Sequence, residues 1–227
     1  MKFKFQAKYA DILAKFMAKE DIRYYLNGIR VEPAPPGHKG VVLAATDGHA
    51  MVLIHDAHGE IDGFDPAVHT GCVKLPAGII SAAKKWKREN DLLVAFNGTH
   101  LSVGRDYLDF SQPSELDLHI HPSNPLVTGN YPKYAKLLPN FENLERGGVV
   151  GSCAGINPRL LSKFSIDGYG GLCGITLWND KGGNQMSTYV QIEGWPEILG
   201  VVMSMRCSSD HAYEDSRKVW KSKGRAA

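Results

Sequence analysis

The chain has 227 residues, 43% hydrophobic and 22% charged, with a formal net charge of +2. That balance excludes a disordered chain and a polycation that coats nucleic acid by bulk charge, so the placement of the positive charges matters more than their sum. No apolar run approaches the roughly 20 residues that cross a bilayer, and the start, MKFKFQAKYADILAKF, spreads charges where a signal peptide has an apolar core. A cytoplasmic protein with no membrane partner is the expectation.

One supersecondary pattern, a helix followed by an antiparallel meander, is predicted three times. The first unit has a helix from Tyr9 to Glu20, a strand over RYYLNGIRVE, a proline-rich turn PAPPGHKG, and strands VVLAAT and AMVLIH joined by Thr46-Asp47-Gly48-His49. Asp-Gly between two short apolar runs is a strong hairpin signal. The second unit has a helix over LPAGIISAAKKWKREN, then DLLVAF, an Asn97-Gly98 turn and HLSVG. Residues 111–133, with prolines at 113, 122 and 125, read as a long connection carrying one short strand. The third unit has a helix over INPRLLSKFSID, with Asn157 as N-cap and Pro158 at the first helical position, then strands GITLW, MSTYVQIE and ILGVVMSMR. Residues 207–227 form a basic tail.

The helices share a charge layout. Ile12, Leu13, Phe16 and Met17 form one apolar stripe, with Lys8, Lys15 and Lys19 away from it. Ile79, Ile80, Ala83 and Trp86 gather opposite Lys84, Lys85 and Arg88, and Leu160, Leu161 and Phe164 oppose Arg159 and Lys163. Each helix therefore presents cations outward, either as a solvated face or as a surface for phosphate contact that is sequence-independent and salt-sensitive.

The motifs of chemistry are weak by comparison. Asp117, His119 and His121 alternate on a predicted strand and could share one face, yet no further ligand follows at metal spacing, and an exposed strand is the expected reading. The Gly168–Gly174 run follows a helix and precedes a strand, the reverse of dinucleotide-loop order, and reads as a turn. Cys72, Cys153, Cys173 and Cys207 make no C-x-x-C pair and read as reduced thiols. No nucleophile elbow, P-loop or H-E-x-x-H motif is present, so no cofactor, metal or catalysis is expected.

DIRYYLNGIRVEP followed by LAATDGHAMVLI resembles the middle domain of the bacterial DNA polymerase III β sliding clamp, which carries an R-Y-Y-L-N-G stretch and an A-T-D-G-H turn at this separation. The likeness continues through VKLPAGIISAAKKW, NYPKYAKLLP and GVVMSMR, the last similar to the family's C-terminal V-V-M-P-M-R. The resemblance implies an α+β DNA-clamp fold: a complete clamp domain over 1–140, a half domain over 141–206, and the tail over 207–227. It implies no enzyme, but a processivity factor that holds duplex DNA non-specifically and tethers a polymerase, with a clamp loader as a further partner. Three halves per chain would need four copies to supply the twelve of a full ring, so a homo-oligomer is expected, in a shortened, phage-like form.

By matching position, DNA would meet Lys15, Lys19, Lys84, Lys85, Arg88, Arg159 and Lys163. A hydrophobic groove for clamp-binding peptides would use Thr46, Gly48, His49, Met51, Leu138, Pro139, Val201, Val202, Met203, Met205 and Arg206. Ala50-Met51 stands where the family has Arg-Leu after its T-D-G-H turn, Ser204 stands where it has proline, and the chain continues past the M-R segment. A clamp-like module that binds such peptides without encircling DNA is the alternative.

Overall fold

A computed structural model describes residues 1–66, 68, 70–85, 91–105, 117–121, 125–127, 129–146, 154–166, 174–180 and 187–206. In chain order the elements are β1 (Lys2–Gln6), α1 (Lys8–Phe16), β2 (Ile29–Pro33), β3 (Val41–Thr46), β4 (Ala50–Asp56), β5 (Glu60–Asp62), β6 (Cys72–Val73), α2 (Ala77–Lys85), β7 (Leu92–Phe96), β8 (Leu101–Arg105) and β9 (Asp117–His121). They continue with β10 (Leu144–Arg146), β11 (Ala154–Gly155), α3 (Pro158–Leu161), β12 (Ile175–Asp180), β13 (Ser187–Ile192), β14 (Trp195–Met203) and β15 (Met205–Arg206).

The threefold helix-plus-meander pattern is present: β2-β3-β4, β7-β8-β9 and β12-β13-β14 each follow a helix and run antiparallel. The meanders combine across the chain. One sheet has the order β5-β1-β7-β8-β9, and a larger one the order β10-β12-β13-β14-β4-β3-β2-β6. In the larger sheet β14 of the third unit lies beside β4 of the first, with Val201 opposite Met51 and Val202 opposite Ala50.

Alternation on the paired strands separates two apolar faces. Leu43, Val52, Ile54 and Val202 belong to the main core with the helix residues Ile12, Leu13, Phe16 and Ile79. Ala44, Met51, Leu53 and Val201 belong to a second cluster on the other face, with Tyr131, Tyr189 and the buried Cys72. The Cys72 Sγ donates to the Tyr25 carbonyl at 3.2 Å, and burial pushes its thiol up to about 11. Across the main core, Phe16 of α1 meets Phe164 edge-on at 4.8 Å.

Four local expectations are corrected. The first helix stops at Phe16 rather than Glu20, because Met17 turns extended and the Ala18 N–H bonds the Leu26 carbonyl at 2.9 Å. The strand expected over RYYLNGIRVE begins only at Ile29, and residues 24–27 form a 3-10 turn. Asp21 causes this: its Oδ1 accepts the Arg23 N–H at 2.7 Å, while the Asn27 amide bonds the Asp21 backbone in both directions, so side-chain bonds displace a sheet ladder.

The third helix is one α turn followed by a 3-10 turn at Ser162–Phe164. Asn157 caps it by accepting the Arg159 N–H at 2.9 Å, and Ser162 Oγ donates back to the Arg159 carbonyl. The C-terminal run ILGVVMSMR is two strands separated at Ser204. Among the described residues, no helix is long and apolar enough to cross a membrane.

Candidate functional site

The Thr46–Ala50 turn is organised by two side chains. The Oδ1 of Asp47 accepts the N–H groups of His49 and Ala50, each at 2.9 Å. The buried Thr46 hydroxyl donates to the Ala50 carbonyl at 2.8 Å and accepts the Gly48 N–H at 3.0 Å. Gly48 has φ +90°, a left-handed conformation that glycine takes without a steric cost. The turn is fastened to β14 where the Met203 N–H donates to the His49 carbonyl at 2.9 Å.

The other Asp47 oxygen, Oδ2, accepts a charge-assisted hydrogen bond from Lys163 Nζ. Burial alone would raise this carboxyl, but the Lys163 ammonium and the two backbone donors outweigh it and hold Asp47 below the usual carboxylate range.

Beside the turn is a cavity of about 300 Å³. Met51 and Val201, partners across β4 and β14, line it with Leu26, Leu137 and Pro132. Thr46, Ser187, His49 and Arg23 add polar groups. Arg23 makes a bidentate pair with Asp21, at 3.0 and 2.8 Å, which holds the Asp21 carboxyl down at about 2. The Tyr131 hydroxyl donates to the Ala44 carbonyl at 3.1 Å, pinning the start of the NYPKYAKLLP stretch to this face of the sheet, and burial raises its own phenol. The result is an apolar cleft with few polar groups, a form suited to small molecules or short peptides.

A second cavity, of about 420 Å³, lies between Phe141 and Leu144 and the residues Trp178, Tyr189 and Leu199. It is the larger of the two, but its carboxylate, Glu197, accepts a hydrogen bond from the Tyr9 hydroxyl at 3.1 Å, and its rim residue Phe141 is 63% exposed.

Of the groove residues expected from sequence, Thr46, Gly48, His49, Met51, Val201 and Met203 line the first cavity. Leu138, Pro139, Val202 and Met205 do not line it. Val202 points to the main core, and Pro139 is buried next to exposed Leu138. Arg206 is placed in β15, with its side chain outside the described residues. Arg23, Tyr25, Leu26, Ala50, Pro132, Leu137 and Ser187 line the cavity without having been expected. Arg23, Tyr25 and Leu26 sit in the RYYLNG stretch, where a strand reading hid their inward turn.

The expected outward cations divide into two groups. Lys84, Lys85, Arg159 and Lys19 are exposed, with Lys84 3.5 Å from Asp11 and Lys19 beyond the end of α1 rather than on it. Lys15 and Lys163 are half-buried and bonded within the chain: Lys15 Nζ donates to the Ser165 carbonyl at the surface, and Lys163 reaches inward to Asp47 with its ammonium 5.7 Å from the Phe16 ring centroid. Arg88, Trp86, Cys153, Cys173, Cys207, most of the Gly168–Gly174 run and the tail lie outside the described residues. Asp117, His119 and His121 are on a strand, as expected, with their side chains outside the description.

The fold is similar to that of solved bacterial DNA sliding clamps. The DnaN sliding clamp of Bartonella birtlesii, bound to griselimycin, matches with a TM-score of 0.56 at 15% identity, over 91% of this chain and 66% of that one. DNA polymerase III subunit beta of Borrelia burgdorferi, in complex with a natural product, matches at 0.55 and 12%, over 92% and 65%. The DNA polymerase sliding clamp of Pseudomonas aeruginosa matches at 0.55 and 16%, over 91% and 67%. The chain thus spans about two thirds of the length of these clamps. No family model and no curated protein matches the sequence. At such identities the likeness is one of fold, and it is that of the DNA sliding clamp.

Proposed function

We propose that this protein is a clamp-like processivity factor, a scaffold without catalysis, that holds duplex DNA against its helix layer and captures replication peptides in the cleft beside the Thr46–Ala50 turn. The observation that carries the reading is that cleft: Met51, Val201, Met203 and the Thr46–His49 turn, from distant parts of the chain, converge with Leu137 of the NYPKYAKLLP stretch on one apolar site. The groove of this proposal includes Arg23, Tyr25 and Leu26, with Leu138, Pro139, Met205 and Arg206 as flanking residues and Val202 as support from the core side. His49 and Thr46 act as recognition groups, because the Thr46 hydroxyl is already committed to its own turn and no nucleophile–base pair is formed with Asp47.

Duplex DNA would meet Lys84, Lys85 and Arg159, with Lys19 and Arg88 alongside, through phosphates and without base reading. Several copies would assemble to surround it, in the cytoplasm. Griselimycin, the ligand of the Bartonella clamp, is the probe for the groove. Calorimetry is expected to show saturable binding that Met51→Lys and Val201→Lys abolish; binding that both variants keep would overturn the groove assignment.

The pairing of Lys163 with Asp47 withdraws one cation from the helix layer, and Lys84 shares its charge with Asp11, which favours a second reading, a peptide-binding module that does not encircle DNA. Retention on circular duplex DNA decides between the two. An encircling clamp stays on a closed plasmid and leaves it after linearisation, and each lost phosphate contact lowers the salt slope by about 0.9.

A further inference from the structure

We infer that Lys163 is a positioning residue for the groove: acting through Asp47 round the turn that joins β3 to β4 in the larger sheet, it holds the Thr46–Ala50 turn in the shape that a groove ligand meets. This rests on the groove reading above and concerns a residue that does not line the groove.

Lys163 belongs to the 3-10 turn Ser162–Phe164, which packs in the helix layer. The groove residues Met51 and Val201 belong to the opposite face. Asp47 joins the two sides. Its Oδ1 fixes the His49 and Ala50 amides of the groove wall, and its Oδ2 takes the Lys163 ammonium from the helix layer.

The pair is well placed to transmit position. Both side chains are only about one-fifth exposed, at 21% for Lys163 and 20% for Asp47, so water screens the contact less than it screens the Lys84–Asp11 pair, where Lys84 is 58% exposed. The base of Lys163 is fixed as well. Its neighbour Phe164 is buried against Phe16, its ammonium lies over the Phe16 ring, and the Lys15 bond to the Ser165 carbonyl ties the next residue to α1. A lysine of the third unit thus sets a turn of the first, 116 residues earlier in the chain.

The experiment uses the full chain and four variants: Lys163→Met, Lys163→Arg, Asp47→Asn, and the Lys163→Met/Asp47→Asn double. Amide hydrogen exchange of His49 and Ala50 is measured in the free proteins, and griselimycin affinity by calorimetry. Lys163→Met and Asp47→Asn are each expected to speed exchange at both amides and to weaken griselimycin by about five- to tenfold, less than the full worth of one charge-assisted hydrogen bond because the contact reaches the ligand only through the turn. The double variant should be no worse than either single one, as for two halves of one interaction, and Lys163→Arg should restore most of the affinity.

Unchanged exchange at His49 and Ala50 in Lys163→Met, or losses that simply add in the double variant, would overturn the inference. If the unaltered protein does not bind griselimycin, the groove reading fails, and the exchange data on the free variants still decide the role of Lys163. Should Lys163→Met not fold, Asp47→Asn and Lys163→Arg carry the same comparison.

Discussion

Two hairpin turns of this protein share one local design and differ in what surrounds them. In the first, Asp47 Oδ1 accepts the N–H groups two and three residues on, at 2.9 Å each; in the second, Asn97 Oδ1 does the same for Thr99 and His100, at 3.1 and 3.2 Å. The closing backbone bonds, Asp47 N–H to the Ala50 carbonyl and Asn97 N–H to the His100 carbonyl, are both 3.4 Å. Gly48 and Gly98 both have a positive φ, +90° and +103°. Yet a Cβ on Gly48 would lie 3.1 Å from the Arg23 guanidinium, whereas the nearest atoms at Gly98 are those of the Lys2 stem at 4.0 Å. Asp47 adds a charged oxygen that binds Lys163, while the Asn97 amide nitrogen faces His100 of its own turn at 3.3 Å. Residues adjacent in sequence build the turn; residues distant in sequence make one of the two a site.

The largest test of that contrast removes the platform behind the first turn. Phe164→Ala deletes a buried ring packed on Phe16 and should cost about 3–5 kcal/mol in urea unfolding. In the folded variant the His49 and Ala50 amide resonances should move while those of Thr99 and His100 stay; equal movement at both turns would break the contrast. A smaller loss is expected from the glycines. Gly48→Ala and Gly98→Ala each force alanine into a left-handed conformation, about 1–3 kcal/mol, but Gly48→Ala must also displace Arg23 and should unfold at lower urea. An equal pair of midpoints would show that Arg23 yields freely. Smaller again, Asp47→Asn keeps an oxygen to hold the turn and loses the ionic bond to Lys163, about 1–2 kcal/mol at neutral pH, whereas Asn97→Asp should leave the urea midpoint nearly unchanged.

The same contrast separates what the sequence made legible from what it did not. Both hairpins were readable because Asx-Gly between apolar runs is a local signal, as was the Asn157-Pro158 helix start. The three meanders followed from strand patterning. The end of α1 did not, since Ala18 is bonded to Leu26 after the chain has turned back, and the Asp21–Arg23–Asn27 network that causes the turn competes with a strand pattern that looks sound.

Lys163 lies at the flank of the stripe that holds Leu160 and Phe164 on a helical wheel, and a cation at that boundary is ordinarily sent to solvent. What captures it is a carboxylate from another unit, invisible to periodicity. Val202 is the reverse case. With Val201 and Met203 on one face of a strand, period two already places it on the other, so its position in the core was available from spacing alone.

The smallest effect expected is also the one that isolates a single oxygen. Asp47 is held below its ordinary range in the folded protein, so on acidification the unfolded chain takes up its proton first, near pH 3.9 for a free aspartate. The stabilisation from Asp47 is therefore fully present above that pH and fades as pH falls through the folded value. Asp21, held at about 2 by Arg23, fades in the same direction but is present in both the unaltered protein and Asp47→Asn, so it cancels in their difference. The gap in unfolding free energy between the two proteins should hold steady from pH 7 to about 5 and narrow below about 4. A gap that stays constant to pH 3 would mean that the Lys163 contact leaves the Asp47 proton affinity unchanged, and the first turn would then differ from the second in its neighbours but not in its charge.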